Sequence, residues 1–224
     1  MKQQSSPFII NFKNYKEVSS DKAIELAKAA ERIASRLRVE IIVAPPQPSL
    51  ALIAKSVKIP VICQHVDEQN IGSTTGFFVP EIAKSYGAVG SLINHSEHRI
   101  EIKSIASLVE RLRKIGMISI VCAREPDEVR EISAFKPDFI AIEPPELIGS
   151  GRAVSKENPA IITNSIHAAE SRSQVICGAG ITNKEDVSKA MELGSHGILV
   201  ASGIIKANSW DDKIAELASA MKTK

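Results

Sequence analysis

The chain has 224 residues, 44% of them hydrophobic and 24% charged, enough to bury a full core without disulfide staples or a structural metal. Its 28 basic and 26 acidic residues leave a formal charge of +2 and are scattered along the chain, without the basic stripe that nucleic acid would select. No apolar run approaches the roughly 20 residues of a membrane span, and the run after Met1-Lys2-Gln3-Gln4-Ser5-Ser6-Pro7 is too short for a signal core, so a cytoplasmic protein is expected.

Taken in chain order, strand-like runs are predicted at 8–12, 40–44, 60–63, 89–94, 117–122, 139–142, 174–177 and 196–200. Most are continuous and β-branched, as parallel strands buried on both faces are. Helical stripes lie between them. Leu26, Ala30, Ile33, Ala34 and Leu37 form the first, with Ser19-Ser20-Asp21 upstream as capping residues. Ile105, Leu108, Val109 and Leu112 form another, Val187, Ala190 and Met191 a third, and Trp210, Ile214, Leu217, Ala218 and Met221 the last. Gly87, Gly116 and Gly194 stand where helices should stop. The segment 65–78 is long and rich in Gly, Thr and Ser, a loop before a helix that starts near Pro80.

About eight strand-helix units in this length, without a linker or composition shift, predict a closed parallel barrel, for which ~200 residues is the lower bound. A doubly wound open sheet is the alternative. Its glycine fingerprint is missing after the first strand, where Asn11-Phe12-Lys13-Asn14-Tyr15 stands instead. In a barrel the C-terminal strand ends share one mouth, which would gather Asn11, Lys13, His95 and Glu143.

Two of those residues suggest proton transfer. His95, in Asn94-His95-Ser96-Glu97, ends an apolar run where a helix is expected to begin, and a helix N-terminus disfavours the cationic imidazole. Glu143 ends another run before a Pro/Gly-punctuated loop, a place where desolvation makes a carboxylate more basic. That pair suits proton abstraction beside a carbonyl. Gly178-Ala179-Gly180 and Ala201-Ser202-Gly203 follow the last two predicted strands, and their small residues would let backbone N–H groups approach a phosphate. Ile204-Ile205-Lys206 is expected to add a helical turn there. Cys63, Cys122 and Cys177 each close an apolar run with no metal-ligand spacing, the pattern of buried reduced thiols.

Over essentially its whole length the chain resembles triosephosphate isomerases, particularly the shorter archaeal type. The resemblance rests on Asn11-Phe12-Lys13, Asn94-His95-Ser96-Glu97-His98-Arg99, Cys122, Glu143-Pro144-Pro145 with Ile148-Gly149-Ser150-Gly151, Cys177-Gly178-Ala179-Gly180-Ile181 and Leu199-Val200-Ala201-Ser202-Gly203, in that order. It implies a single (β/α)8 TIM barrel over 1–224 that interconverts dihydroxyacetone phosphate and D-glyceraldehyde 3-phosphate in glycolysis and gluconeogenesis, with no cofactor and no metal. By the matched motifs, Glu143 is the base and His95 a neutral electrophile, as is known for the family. Lys13 would neutralise the enediolate and the phosphate, Asn11 would orient substrate, and Glu97, with Ser96 beside it, would fix Lys13. Gly149 would add an N–H to the phosphate site formed by Gly178, Ala179, Gly180, Ala201 and Ser202, and 144–151 would be a lid over it. Thr75 matches a threonine that reaches the neighbouring subunit, in a homodimer or homotetramer. Glu146, Cys177 and Gly180 depart from the commoner pattern, in which a lid tryptophan, a latching tyrosine and a phosphate-binding serine stand there. Another phosphate-handling barrel, of the indole or histidine biosynthesis type, and a catalytically silent sugar-phosphate binder are the competing readings.

Overall fold

The short β-branched runs become strands, each paired in parallel with its neighbours. The computed structural model describes residues 6–144 and 153–221. Its strands are β1 (Phe8–Asn11), β2 (Ile41–Ala44), β3 (Gly90–Ile93), β4 (Ile118–Ala123), β5 (Phe139–Ile142), β6 (Gln174–Cys177) and β7 (Ile198–Val200), laid out in the order β2-β1-β7-β6-β5-β4-β3. The predicted strand at 60–63 fills the gap between β2 and β3 as two parallel bridges, Val43 to Val61 and Cys63 to Ser91. Pro60 opens this segment and has no N–H for a ladder, so pairing is left to the N–H groups of Ile62 and Cys63, each 2.9 Å from its carbonyl. With those bridges the ring closes as an α/β barrel of strand-helix units.

The helices are α1 (Asp21–Leu37), α2 (Leu50–Ser56), α3 (Pro80–Ser85), α4 (Ile102–Lys114), α5 (Pro126–Ser133), α6 (Val154–Glu157), α7 (Pro159–Ala169), α8 (Lys184–Glu192), α9 (Ser202–Ile205) and α10 (Trp210–Ser219). The predicted stripes face inward: Leu26, Ala30 and Ile33 of α1 and Ile105, Leu108, Val109 and Leu112 of α4 are buried. One capping expectation fails. Ser20 does occupy the position before α1, but at φ 54° and ψ −133° its side chain makes no cap hydrogen bond; a capping hydroxyl needs the extended backbone that turns it onto the first helical N–H groups. No described helix is long and apolar enough to cross a membrane.

Alternation along the strands sorts the core into two layers. Ile9, Ile42, Ile62, Leu92, Ile120, Phe139, Ala141, Ile176 and Leu199 cluster inside the ring. Their neighbours Phe8, Ile10, Ile41, Val43, Val121, Ile140 and Val175 pack outward against the helices. Two steps on from the inner layer, the same alternation brings Asn11, Gln64, Asn94, Glu143, Gly178 and Ala201 to the barrel mouth.

Candidate active site

Lys13 is the first residue past β1 whose side chain turns into the mouth. Its backbone adopts φ 49°, unusual for a side chain of this size. Two hydrogen bonds hold it there: the Asn11 side-chain oxygen accepts the Lys13 N–H at 2.9 Å, and Gln64 Nε2 donates to the Lys13 carbonyl at 2.9 Å, the same Nε2 being anchored on the Ala44 carbonyl at 3.1 Å. The ammonium then reaches Glu97, with Nζ 2.8 Å from Oε1, and the lysine side chain is only 12% exposed. Asn11, expected to orient substrate, is thus also committed to shaping the turn that aims Lys13.

His95 arrives by a different route. The helix expected after it begins only at Ile102, and residues 95–98 form a turn closed by the His98 N–H on the His95 carbonyl at 2.8 Å. A single N–H therefore stands in for the helix terminus: Glu97 N donates to His95 Nδ1 at 3.1 Å. That bond occupies the Nδ1 lone pair and leaves the proton of a neutral imidazole on Nε2. Nε2 points into the cleft, 3.7 Å from Glu143 Oε1. The turn is launched by Asn94, which takes φ 62°, donates from Nδ2 to the Cys122 carbonyl at 3.0 Å and accepts the Ile100 N–H on Oδ1 at 3.1 Å. Asparagine tolerates this left-handed conformation better than most residues.

Glu143 is 3% exposed, deep for an acid. Its Oε2 has no hydrogen-bond partner among the described residues, and the adjacent Cys122 thiol is at most a weak donor to it. Burial pushes its carboxyl above the usual range, opposed in part by His95 and Lys13. Cys63, Cys122 and Cys177 are free and buried. Burial drives the Cys63 and Cys177 thiols up to about 12, and that of Cys122, which also faces Glu143, well above its ordinary value. All three are inert at neutral pH.

Across the mouth the wall is backbone. Gly178, Ala179, Gly180, Ala201, Ser202 and Gly203 line the same cleft as Lys13, His95 and Glu143. Two glycines there are sterically required. A Cβ on Gly178 would stand 2.5 Å from Glu143 Cγ, and one on Gly203 would stand 2.6 Å from the Ile181 carbonyl. The first lets the loop after β6 lie on the acid; the second presses the loop after β7 against it. The expected extra turn is present as α9, starting at Ser202.

Ser96 is half-buried in the turn between His95 and Glu97. Thr75 is exposed near the tip of the 65–78 loop, whose base is closed by Asp67 and Phe78 through an N–H to carbonyl bond of 2.9 Å and the Phe78 N–H on Asp67 Oδ2 at 2.6 Å. A second, broader cleft runs from Lys13, His95 and Glu97 to Phe77 and Phe78 of that loop. Gly149, Glu146 and the expected lid, apart from Pro144, lie outside the described residues. Sequence reasoning assigned no role to Asn94, Gln64 or Tyr15, although Tyr15 lines the cleft. Only Asn94 carried a signal, through its place beside His95. Among the described residues no group of His, Cys, Asp and Glu side chains is placed to hold a metal ion.

Residues 7–220 match the family model for triosephosphate isomerase. Among curated proteins, the chain is 49% identical to the triosephosphate isomerase of Cenarchaeum symbiosum over 97% of this chain and 99% of that protein. It is 44% identical to that of Methanothermus fervidus, over 95% and 97% of the two chains, and 46% identical to that of Archaeoglobus fulgidus, over 93% and 95%. With the family model matched over residues 7–220 and these relatives 44–49% identical across most of its length, the chain belongs to the triosephosphate isomerase family.

Proposed function

We propose that three side chains divide between them the interconversion of dihydroxyacetone phosphate and D-glyceraldehyde 3-phosphate. Glu143 takes a proton from one reacting carbon and returns it to the next. His95 donates from Nε2 to the substrate oxygens as charge develops on them, and Lys13, backed by Glu97, lowers the energy of the enediolate. Backbone N–H groups of Gly178, Ala179, Gly180, Ala201, Ser202 and Gly203 take the phosphate. The observation that carries this reading is the 3.7 Å approach of His95 Nε2 to the buried Glu143 carboxylate, whose Oε2 has no hydrogen-bond partner among the described residues, in a cleft whose opposite wall is small-residue backbone. Burial supports the role of Glu143, because an ionised carboxylate that water does not solvate is a stronger base.

The reading extends to the whole molecule. Residues 1–224 act as one barrel domain in glycolysis and gluconeogenesis in the cytoplasm, as a homodimer or homotetramer without nucleic acid, membrane or cofactor. Exposed Phe77 and Ile71 on the 65–78 loop, 49% and 63% accessible, favour a protein contact through Thr75.

Deuterium incorporation into dihydroxyacetone phosphate in heavy water, with protein free of host isomerase, tests the chemistry. Exchange at the carbon that loses the pro-chiral proton, together with appearance of the aldehyde isomer, is expected. Tight binding without exchange would reveal a silent sugar-phosphate binder, and neither binding nor exchange would point to a barrel with another substrate.

A further inference from the structure

The loop that ends at Thr182 is held from behind by a carboxylate that does not face the cleft. Asp186 of α8 is 2% exposed. Its Oδ2 accepts the Thr182 N–H at 2.9 Å, the Thr182 hydroxyl at 3.0 Å and the Asn183 N–H at 3.2 Å. Its Oδ1 receives Lys156 of α6 at 2.6 Å. On the far side of the same peptide, Lys213 of α10 donates to the Thr182 carbonyl at 3.0 Å.

Asp186 is also the third residue of α8 in a capping box with Asn183, and a capping box asks only for the bond to the Asn183 N–H. That is the longest of the three bonds to Oδ2. The two shorter ones go to Thr182, which lines the cleft with Gly178, Ala179 and Gly180. Burial alone would raise the Asp186 carboxyl, but Lys156 and the Thr182 hydrogen bonds outweigh it and hold the acid ionised. The arrangement costs desolvation of a charge that ordinary helix capping does not require.

We infer that Lys156 and Asp186 form a positioning pair that sets the phosphate-binding loop after β6 through Thr182. The inference rests on the proposed phosphate site. In it, Lys156 keeps Oδ1 occupied so that Oδ2 stays turned toward Thr182, and the loop N–H groups are ordered before substrate arrives. Backbone donors displaced by a fraction of an ångström lose most of their value for an anion. With phosphate held alike in ground and transition states, the loss would fall on KM rather than on kcat.

The experiment compares the parent with Lys156→Met and Lys156→Arg by steady-state kinetics, competitive inhibition by inorganic phosphate, and thermal melting. Lys156 is half-exposed, with a side chain 49% accessible, so its replacement is compatible with folding. Lys156→Met is expected to raise both KM and the phosphate inhibition constant on the order of tenfold, with kcat changed less than about threefold, and Lys156→Arg to restore both to within about twofold of the parent. Asp186→Asn, combined with Lys156→Met, should give less than the product of the single effects because the two act on one loop. Unchanged KM and phosphate inhibition in Lys156→Met, whatever happens to melting, would make the pair purely structural and overturn the inference. Absence of competitive phosphate inhibition in the parent itself would instead overturn the phosphate site, and the positioning role with it.

Discussion

On the side of the mouth fed by β1, β3 and β5, long side chains converge, and each is fixed by its own local device. A strained backbone held by Asn11 and Gln64 aims Lys13, a turn N–H sets His95, and burial, opposed in part by His95 and Lys13, conditions Glu143. On the side fed by β6 and β7 the groups proposed to work are peptide N–H groups, and what matters is the side chains that are missing, as at Gly178 and Gly203. The first side depends on the identity of its functional groups, and the second on the space its glycines leave. In the proposed reaction the first side does the chemistry and the second holds the substrate still. Damage to the first should therefore appear in kcat, and damage to the second in KM.

Glu143→Gln makes the sharpest cut between them. It preserves shape and leaves the backbone wall alone, so kcat should fall by at least the ~10²–10⁴ attributed to general base catalysis while inorganic phosphate still competes as in the parent. Equal loss of phosphate binding would merge the two sides. Lys13→Met comes next. It removes the cation facing the developing charge and should cost on the order of 10² in kcat/KM. Its partner Glu97 has a side chain 59% exposed, and an ion pair so open to water contributes at most about 1 kcal/mol, so melting should stay near that of the parent. A collapse in melting would make Lys13 a structural residue.

A smaller effect is expected where the chemical side meets solvent. The cleft beside Lys13, His95 and Glu97 is open toward Phe77, and in the proposed assembly a second copy's loop fills it. Thr75→Arg would place an extra cation beside Lys13 on both faces of a two-fold contact. Dissociation to folded monomers with turnover reduced by about tenfold or more is expected, read by size-exclusion chromatography with light scattering. An intact oligomer of full activity would place the contact elsewhere. The paired variants Gly178→Ala and Gly203→Ala probe the boundary between the sides. The added methyl of the first collides with Glu143 Cγ and that of the second with the Ile181 carbonyl. The first should lower kcat and the second raise KM, each by roughly tenfold if the displaced group moves a few tenths of an ångström. The reverse pattern would mean that the methyl at 178 is absorbed without moving Glu143 and that the one at 203 reaches the acid instead.

How much of this was visible in the chain follows the same division. The inner layer of the barrel is a period-two pattern, so Ile9 predicts Asn11 at the mouth and Phe139 with Ala141 predicts Glu143, and counting strand ends finds them. His95 breaks that pattern. Its side chain reaches the cleft only because Asn94 turns left-handed at φ 62°, and the helix expected to polarise it is replaced by one N–H. Gln64 had no local signal, since its partners Lys13 and Ala44 are brought beside it only when the ring closes. The loops proposed to take phosphate were legible as small residues after the last two strands. The carboxylate behind them was not, because Asp186 reads as a helix cap until Lys156 is seen on its other oxygen.

The least conspicuous consequence of the division concerns stability, and it turns on Glu143 again. A carboxyl whose folded value lies above its unfolded one binds its proton more tightly in the native state. Below the ordinary glutamate value both states are protonated, and the native state then keeps the full benefit of this site. As pH rises through the raised folded value the charge must be carried in a buried place with an unpartnered oxygen, and that benefit is lost. Glu143→Gln removes the titration while keeping the volume. The variant and the parent should therefore melt together near pH 4, and the variant should become the more stable, by a few degrees, as pH is raised to about 8. Parallel melting curves for Glu143→Gln and the parent across this range would show that the acid is not strained by burial, and that its basicity must come from substrate binding instead.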